Sequence, residues 1–79
     1  MALYIIYTDS STLISKKKYT GWKQIQHEYL GYKASLGPWS EDEVIEFLED
    51  EYDNLLPNAA TQINEFLNSS LVAKALLFS

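Results

Sequence analysis

Residues 39–53 carry eight of the chain's eleven carboxylates, in a pattern that permits little other than an amphipathic helix. Ser40 is a favourable N-cap residue, and Glu43 follows three positions later, which is the spacing of a capping box. Pro57 prevents a simple continuation of a helix that begins there. The sequence therefore predicts a helix over about residues 41–55.

The two faces of this predicted helix differ in character. At about 100° per residue, six apolar side chains fall on one stripe: Val44, Ile45, Leu48, Tyr52, Leu55 and Leu56. Five carboxylates share the opposite face over about 16 Å of helix axis: Asp42, Glu46, Glu49, Asp50 and Asp53. Trp39, ahead of the cap, and Val44 have the spacing of a hydrophobic staple.

The acidic face has two interpretations. A charged outer face is ordinary for an amphipathic helix, and acids in the first turn complement the helix dipole. However, three like-charge pairs at i,i+4 should each cost a few tenths of a kcal/mol: Asp42 with Glu46, Glu46 with Asp50, and Glu49 with Asp53. No lysine lies between Lys33 and Lys74 to offset them. This uncompensated repulsion favours a surface that meets a cationic partner.

Phe47 lies off the apolar stripe, between Glu43 and Glu51. It either packs against a neighbouring helix or forms an exposed apolar anchor surrounded by acid, as interface hot spots often are. The predicted partner-binding residues are Asp42, Glu46, Phe47, Glu49, Asp50 and Asp53.

The N-terminal part of the chain has a strand pattern. Residues 2–8, ALYIIYT, are apolar and rich in β-branched and aromatic side chains, which favours a buried strand. Residues 9–11 are a turn signal. Residues 12–15 are either a second strand that closes a hairpin or a loop.

The middle of the chain has a shorter helical pattern. Apolar residues recur at intervals of three and four: Trp22, Ile25, Tyr29 and Tyr32. Thr20 is a candidate cap for its start, and Gly31 is a candidate left-handed end. Residues 33–38, KASLGP, are predicted to form a loop.

Two segments remain near the C-terminus. Asn58 is a candidate cap for a helix over residues 59–67. Residues 71–78, LVAKALLF, are too uniformly apolar for periodicity to decide, and their leucines and alanines favour a terminal helix over a strand beside the N-terminal one. The predicted fold is therefore α+β and mainly helical, with an N-terminal strand or short β-hairpin packed with three to four helices in a single domain, residues 1–79.

Composition excludes several classes of protein. The chain has no cysteine, and therefore neither a disulfide nor a thiolate metal site. No apolar run approaches the roughly 18–20 residues of a membrane span, and residues 1–9 lack the basic start of a secretory signal. We therefore expect a cytoplasmic protein with no membrane partner. No catalytic, metal or cofactor motif is present, so we expect a protein that is not an enzyme and has no cofactor.

The charges are unevenly distributed. Residues 1–39 hold five lysines against two acids, whereas residues 40–79 hold one lysine against nine acids, for a net charge of −5. Lysines interleaved with aromatic residues are one way to bind nucleic acid. The absence of arginine and the negative net charge argue against direct nucleic-acid binding here.

Three functions fit these features. The first is a small non-enzymatic module that docks its acidic helix on a basic patch of a larger protein and blocks or modulates it. The second is a nucleic-acid mimic that occupies a DNA- or RNA-binding channel. Small acidic phage proteins that inhibit host nucleases, CRISPR effectors or polymerases resemble this chain in size and charge alone. The third is a homo-oligomerisation domain that pairs the basic segment 16–33 with the acidic helix.

Overall fold

The computed structural model describes residues 2–79, in which seven elements follow one another along the chain. They are β1 (Leu3–Thr8), β2 (Thr12–Ser15), α1 (Trp22–Glu28), β3 (Tyr32–Trp39), α2 (Glu41–Glu51), α3 (Ala59–Leu67) and β4 (Ala73–Ala75). The strands form one antiparallel sheet in the order β3-β1-β2-β4. The predicted α+β class is confirmed, but the mainly helical architecture is wrong, because strands occur along the whole chain.

The predicted strand over residues 2–8 is confirmed, and of the two alternatives for residues 12–15 the structure shows the strand that closes a hairpin. β1 pairs with β2 in an unbroken register in which Tyr4 lies opposite Ser15 and Tyr7 opposite Thr12. The turn between them is held by Thr8, whose backbone N–H and side-chain hydroxyl both donate to the Ser11 carbonyl. Ile5, Ile6 and Ile14 are almost completely buried, so the hairpin lies at the centre of the domain.

The predicted loop over residues 33–38 is instead part of β3, which pairs with β1 at one edge of the sheet. Its glycine and proline are turn-forming residues, which is why the sequence predicted a loop. An edge strand tolerates proline, because its missing N–H can lie on the side that has no neighbouring strand. Gly37 has a φ of 121°, and a Cβ there would lie 2.5 Å from the Leu3 carbonyl oxygen.

The predicted terminal helix over residues 71–78 is also wrong. Residues Ala73–Ala75 form β4, which pairs with β2 and not with β1. Pairing with the sheet and burial of Leu76 override the helix preference of leucine and alanine, which is worth only a few tenths of a kcal/mol per residue. The final residues then run back to the segment after α2, where Ser79 N–H donates to the Asn54 carbonyl at 2.7 Å.

Helices cover both faces of the sheet. Leu3, Ile5 and Ile14 alternate onto the face where α2 and α3 pack, and they join the main core with residues such as Leu48 and Phe66. The opposite face carries α1. There Ile6 and Ile25 are buried outside the main core. The fold is therefore a three-layer arrangement with the sheet in the middle.

The helix bounds differ from those predicted. α1 begins after Gly21 and not at a Thr20 cap, and it ends before Tyr29, so Tyr32 of the predicted stripe lies in β3. Gly31 does adopt the left-handed conformation, with a φ of 77°. In α3, Asn58 accepts a hydrogen bond from Thr61 N–H, which confirms the predicted cap.

The helix α2 is shorter than predicted. It ends at Glu51, and Tyr52 at its C-cap is already extended, so the last residues of the predicted 41–55 helix lie outside it. Within residues 2–79, none of the helices has the length and apolar character needed to cross a membrane.

Candidate protein-docking site

The start of α2 is built as the sequence predicts. Ser40 N–H donates to a carboxylate oxygen of Glu43 at 2.9 Å, and Glu43 N–H donates to Ser40 Oγ at 3.2 Å. The pKa of Glu43 lies below its ordinary value of about 4.5. The main cause is the hydrogen bond from the Ser40 backbone N–H, and the hydrogen bond with the Ser40 side chain lowers the pKa further. The Glu43 carboxylate is therefore fixed in orientation and held in its ionised form.

Phe47 is half-buried and packs against Trp39 at the end of β3. The two rings meet edge to face, with centroids 5.3 Å apart and planes at 62°. Both side chains are half-buried and lie against the main core. Trp39 ends β3 and Phe47 lies one turn beyond Glu43 in α2, so the junction between strand and helix fixes both rings.

Beside this ring pair lies an open groove of about 310 Å³. We call it the aromatic groove, and its lining residues are Trp39, Glu43, Glu46, Phe47 and Asp50. Its lining combines two aromatic rings with three carboxylates. An aromatic ring attracts cations through its negative face, and carboxylates pair with them directly. This combination suits a lysine or arginine side chain.

The three groove carboxylates have no ion-pair partner among residues 2–79. The two ion pairs found in residues 2–79 are Lys17 with Glu28, at 2.7 Å, and Lys33 with Asp9, at 3.8 Å. Neither involves an acid of α2. Glu46 and Asp50 are exposed and separated by one helical turn, so they repel each other.

The structure divides the six predicted binding residues into separate groups. Glu46, Phe47 and Asp50 line the aromatic groove. Glu49 and Asp53 instead line a second depression of about 140 Å³ beside Asn58 and Ala59, where α3 begins. Acids near a helix N-terminus are stabilised by its dipole. These two carboxylates therefore have a structural explanation that needs no partner.

Asp42 and Asp53 both lie outside the aromatic groove, for different reasons. Asp42 is exposed in the first turn of α2 and does not line the groove. Asp53 follows the end of the helix, so Glu49 and Asp53 do not form a helical i,i+4 pair. The helical row is therefore Asp42, Glu46, Glu49 and Asp50, over about 12 Å of axis.

Two groove residues, Trp39 and Glu43, were not among the predicted binding residues. The sequence assigned them only structural roles, as a staple and as a capping residue. A signal for both was present, because residues that fix a helix start must lie beside the first turns of that helix. Glu43 and Phe47 are four residues apart and share one helix face.

Two lysines of the basic segment 16–33 are engaged within the chain. Lys16 Nζ donates to the carbonyl oxygens of Phe66, at 3.3 Å, and Ser69, at 2.8 Å, so it caps the C-terminal end of α3. Lys17 Nζ donates to Glu28, which lowers the pKa of that carboxyl. Lys18, Lys23 and Lys33 are exposed, as is Lys17, and Lys33 pairs with Asp9 at 3.8 Å.

Comparison with protein-family models, with curated proteins and with solved structures finds no match to this chain. Within residues 2–79, no group of three or more histidine or acidic side chains is arranged to hold a metal ion.

Proposed function

We propose that this protein is a non-enzymatic protein-binding module that docks the outer face of α2 on a basic surface of a larger partner and blocks or modulates it. The observation that carries the proposal is the aromatic groove, in which Trp39 and Phe47 lie beside three carboxylates. The groove gives the acidic face a defined position at which a cationic side chain can bind. The proposal includes a cytoplasmic location, with which the absence of cysteine is consistent.

An arginine side chain of the partner is the preferred occupant. Its planar guanidinium stacks on aromatic rings and donates to carboxylates through several N–H groups at once, whereas lysine offers a single compact charge. Glu46 and Asp50 lie one helical turn apart in the lining of the groove and have no ion-pair partner among the described residues. Binding a guanidinium between them relieves their mutual repulsion, which adds to the free energy of binding.

The rest of the acidic row has a supporting role. Exposed charges outside the groove attract a basic surface at long range, which raises the association rate and makes it sensitive to salt. Asp42, Glu49 and Asp53 are assigned to this role. Removing one of them should slow association, while removing Glu46 or Asp50 should also speed dissociation.

The nucleic-acid mimic remains a second, less supported proposal. Duplex DNA carries one phosphate per about 3.4 Å per strand. Four acids over about 12 Å match this density, but the row covers only about three phosphates of one strand. The aromatic groove has no counterpart in such a mimic. A mimic must displace DNA from its target, so it predicts that charge reversal along the whole row abolishes inhibition while Phe47→Leu has no effect.

The oligomerisation proposal is weakened by the internal contacts of Lys16 and Lys17. It predicts self-association that disappears at high salt. Sedimentation at low and high salt separates it from the docking proposal, which predicts a monomer under both conditions.

The docking proposal is tested with tetra-arginine amide as the probe. The variant Trp22→Phe leaves Trp39 as the sole tryptophan, so its fluorescence reports on the groove. We expect a saturable change in Trp39 fluorescence with tetra-arginine, and a weaker affinity for tetralysine. The absence of saturation with tetra-arginine would contradict the proposal.

Charge variants in the same background locate the site. Glu46→Gln and Asp50→Asn should each weaken the affinity about threefold to tenfold, as expected for loss of a charge-assisted contact worth about 1 kcal/mol. Glu65→Gln, on the exposed side of α3, removes the same charge away from the groove and is the matched control. Equal losses in all three variants would indicate net charge and not the groove.

A further inference from the structure

The two edges of the sheet differ in how they are protected. On the outer edge of β3, the chain carries Pro38, which has no N–H, and irregular register against β1. Such features prevent another strand from pairing with an edge. On the other edge, β4 has neither a proline nor an irregular register, and it is protected only by its short length and by Lys74. The β4 edge is therefore the less protected side of the sheet.

The hydrogen bonds to β2 fix which backbone groups of β4 face outward. Lys16 N–H donates to the Val72 carbonyl at 2.9 Å, and Leu76 N–H donates to the Thr12 carbonyl at 2.8 Å. In an antiparallel ladder, alternate residues point to the same neighbour. The backbone N–H and C=O groups of Ala73 and Ala75 therefore point away from β2, toward the free edge.

Exposed apolar side chains are concentrated in the C-terminal segment that contains this edge. Among residues 2–79, the large apolar side chains with high exposure are Trp22, Leu30, Leu56, Leu71, Val72, Leu77 and Phe78. Four of these seven lie in the C-terminal segment, namely Leu71, Val72, Leu77 and Phe78. Leu56 contacts the same segment, because its N–H donates to the Leu77 carbonyl. An exposed apolar patch beside an unpaired strand edge is typical of a surface that binds an extended chain.

We propose that the β4 edge binds an extended segment of a partner protein, which adds a fifth strand and places a carboxylate opposite Lys74. When an incoming antiparallel strand hydrogen-bonds to the backbone of Ala73 and Ala75, its residue opposite Lys74 forms a non-hydrogen-bonded pair with Lys74. The side chains of two strands approach most closely at such pairs. Neither ion pair of the described residues involves Lys74. A carboxylate at that position completes the charge pairing, and apolar residues beside it cover Val72 and Leu77.

A second copy of this chain does not meet these requirements. Antiparallel self-pairing of Ala73 with Ala75 sets Lys74 opposite the same residue of the second copy, which is repulsive. Pairing shifted by two residues sets Lys74 opposite Val72 or Leu76, with no carboxylate. Each chain also carries a net charge of −5, which opposes association. The occupant is therefore a strand of another protein that bears an acid.

The test uses two capped eight-residue peptides of alternating threonine and valine, one with a central glutamate and the other with a lysine at the same position. Amide hydrogen exchange is measured by NMR for Ala73 and Ala75, whose N–H groups face solvent. We expect the glutamate peptide to slow their exchange and the lysine peptide to bind about fivefold more weakly, as expected from reversing a cross-strand charge pair. In Lys74→Glu this preference should invert.

The control is Lys33→Glu, which makes the same charge change on β3 at the other edge of the sheet. It should leave the peptide preference unchanged. Unaltered exchange at Ala73 and Ala75 with the glutamate peptide, or equal binding of both peptides, overturns the proposal. Protection that rises with protein concentration in the absence of peptide assigns the edge to a second copy instead. If Lys74→Glu does not fold, the comparison of the two peptides on the unchanged protein decides the question.

Discussion

The rings of Trp39 and Phe47 meet edge to face with their centroids 5.3 Å apart, and this contact joins the end of β3 to the second turn of α2. Both rings line the aromatic groove. The carboxylates of Glu46 and Asp50 line the same groove. In the account proposed here, the ring pair and the carboxylates act together on one cationic side chain.

The first prediction concerns the ring of Phe47. Phe47→Leu keeps an apolar side chain against the core but removes the aromatic face. We expect the affinity for tetra-arginine amide to fall about twofold to fivefold, since a cation–π contact at an exposed site is worth about 0.5–1 kcal/mol. The free energy of unfolding should fall by less than about 1.5 kcal/mol. Fluorescence titration and urea unfolding measure the two quantities, and an unchanged affinity would remove Phe47 from the site.

The second prediction concerns the cost of the acidic row. Glu46 lies one turn from both Asp42 and Asp50 within α2, so Glu46→Gln removes two repulsive pairs. We expect the free energy of unfolding to rise by about 0.5 kcal/mol at low salt and by less at high salt.

Glu65→Gln is again the control, because no acid lies four residues before or after Glu65. Its stability should change little at either salt concentration. A destabilised Glu46→Gln would show that the row is not maintained at a cost.

The third prediction concerns the capping box. Ser40→Ala removes the hydroxyl that accepts from Glu43 N–H, and it should lower the free energy of unfolding by about 1 kcal/mol. Urea unfolding at neutral pH measures this change. A loss near zero would mean that water replaces the cap without cost.

The fourth prediction follows from the lowered pKa of Glu43. A carboxyl whose pKa is lower in the folded state stabilises the fold above its ordinary pKa of about 4.5, and this stabilisation is lost as the pH falls through the lower folded-state value. The difference in unfolding free energy between the unchanged protein and Glu43→Gln should therefore be largest at neutral pH and shrink in acid. A difference that is constant from pH 7 to pH 3 is inconsistent with this linkage.

The fifth prediction concerns Gln62, a buried side chain of α3 that holds the C-terminal segment. Its amide nitrogen donates to the carbonyls of Pro57, at 2.6 Å, and Leu77, at 2.9 Å, and its oxygen accepts from Leu77 N–H at 2.9 Å. Gln62→Ala removes the partner of the Pro57 carbonyl and of the Leu77 N–H, while the Leu77 carbonyl still accepts from Leu56 N–H, and it should cost about 2 kcal/mol.

Amide exchange of Leu77 should accelerate in Gln62→Ala, because its N–H loses its acceptor. Gln26→Ala, at an exposed glutamine of α1, is the control and should change stability by less than about 0.5 kcal/mol. Unchanged exchange at Leu77 would show that other contacts hold the segment.

Local signals predicted the parts of the fold that are determined locally. The capping box at Ser40 and Glu43 located the start of α2 to the residue, and Asn58 did the same for α3. The apolar pattern predicted β1, while the sequence of residues 12–15 allows either a second strand or a loop. In each case the interactions that fix the element are made between residues close together in the chain.

Long-range pairing accounts for the parts that were predicted wrongly. Residues 33–38 have the composition of a loop, and residues 71–78 have the composition of a helix. Both become edge strands because each pairs with one strand of the N-terminal hairpin, β3 with β1 and β4 with β2. The sequence of either segment alone does not contain this information, since the partner strand supplies the hydrogen bonds.

The same reasoning applies to the candidate site. The acidic face and Phe47 were identified by helical periodicity, a local property. The division of the acids into two groups was not, because it depends on Trp39 at one side of α2 and on the start of α3 at the other. Asp53 was included because the helix was predicted to extend to residue 55, beyond its end at Glu51.

The central claim is that a guanidinium binds in the aromatic groove, and NMR chemical-shift mapping of the unchanged protein with tetra-arginine amide tests it most directly. The account predicts that the Trp39 indole N–H and the backbone amides of Phe47 and Asp50 shift in a saturable manner, while the Trp22 indole N–H does not. Shifts of backbone amides centred on Glu49 and Asp53, or shifts spread over the amides of all exposed acidic residues including Glu65, would contradict this claim.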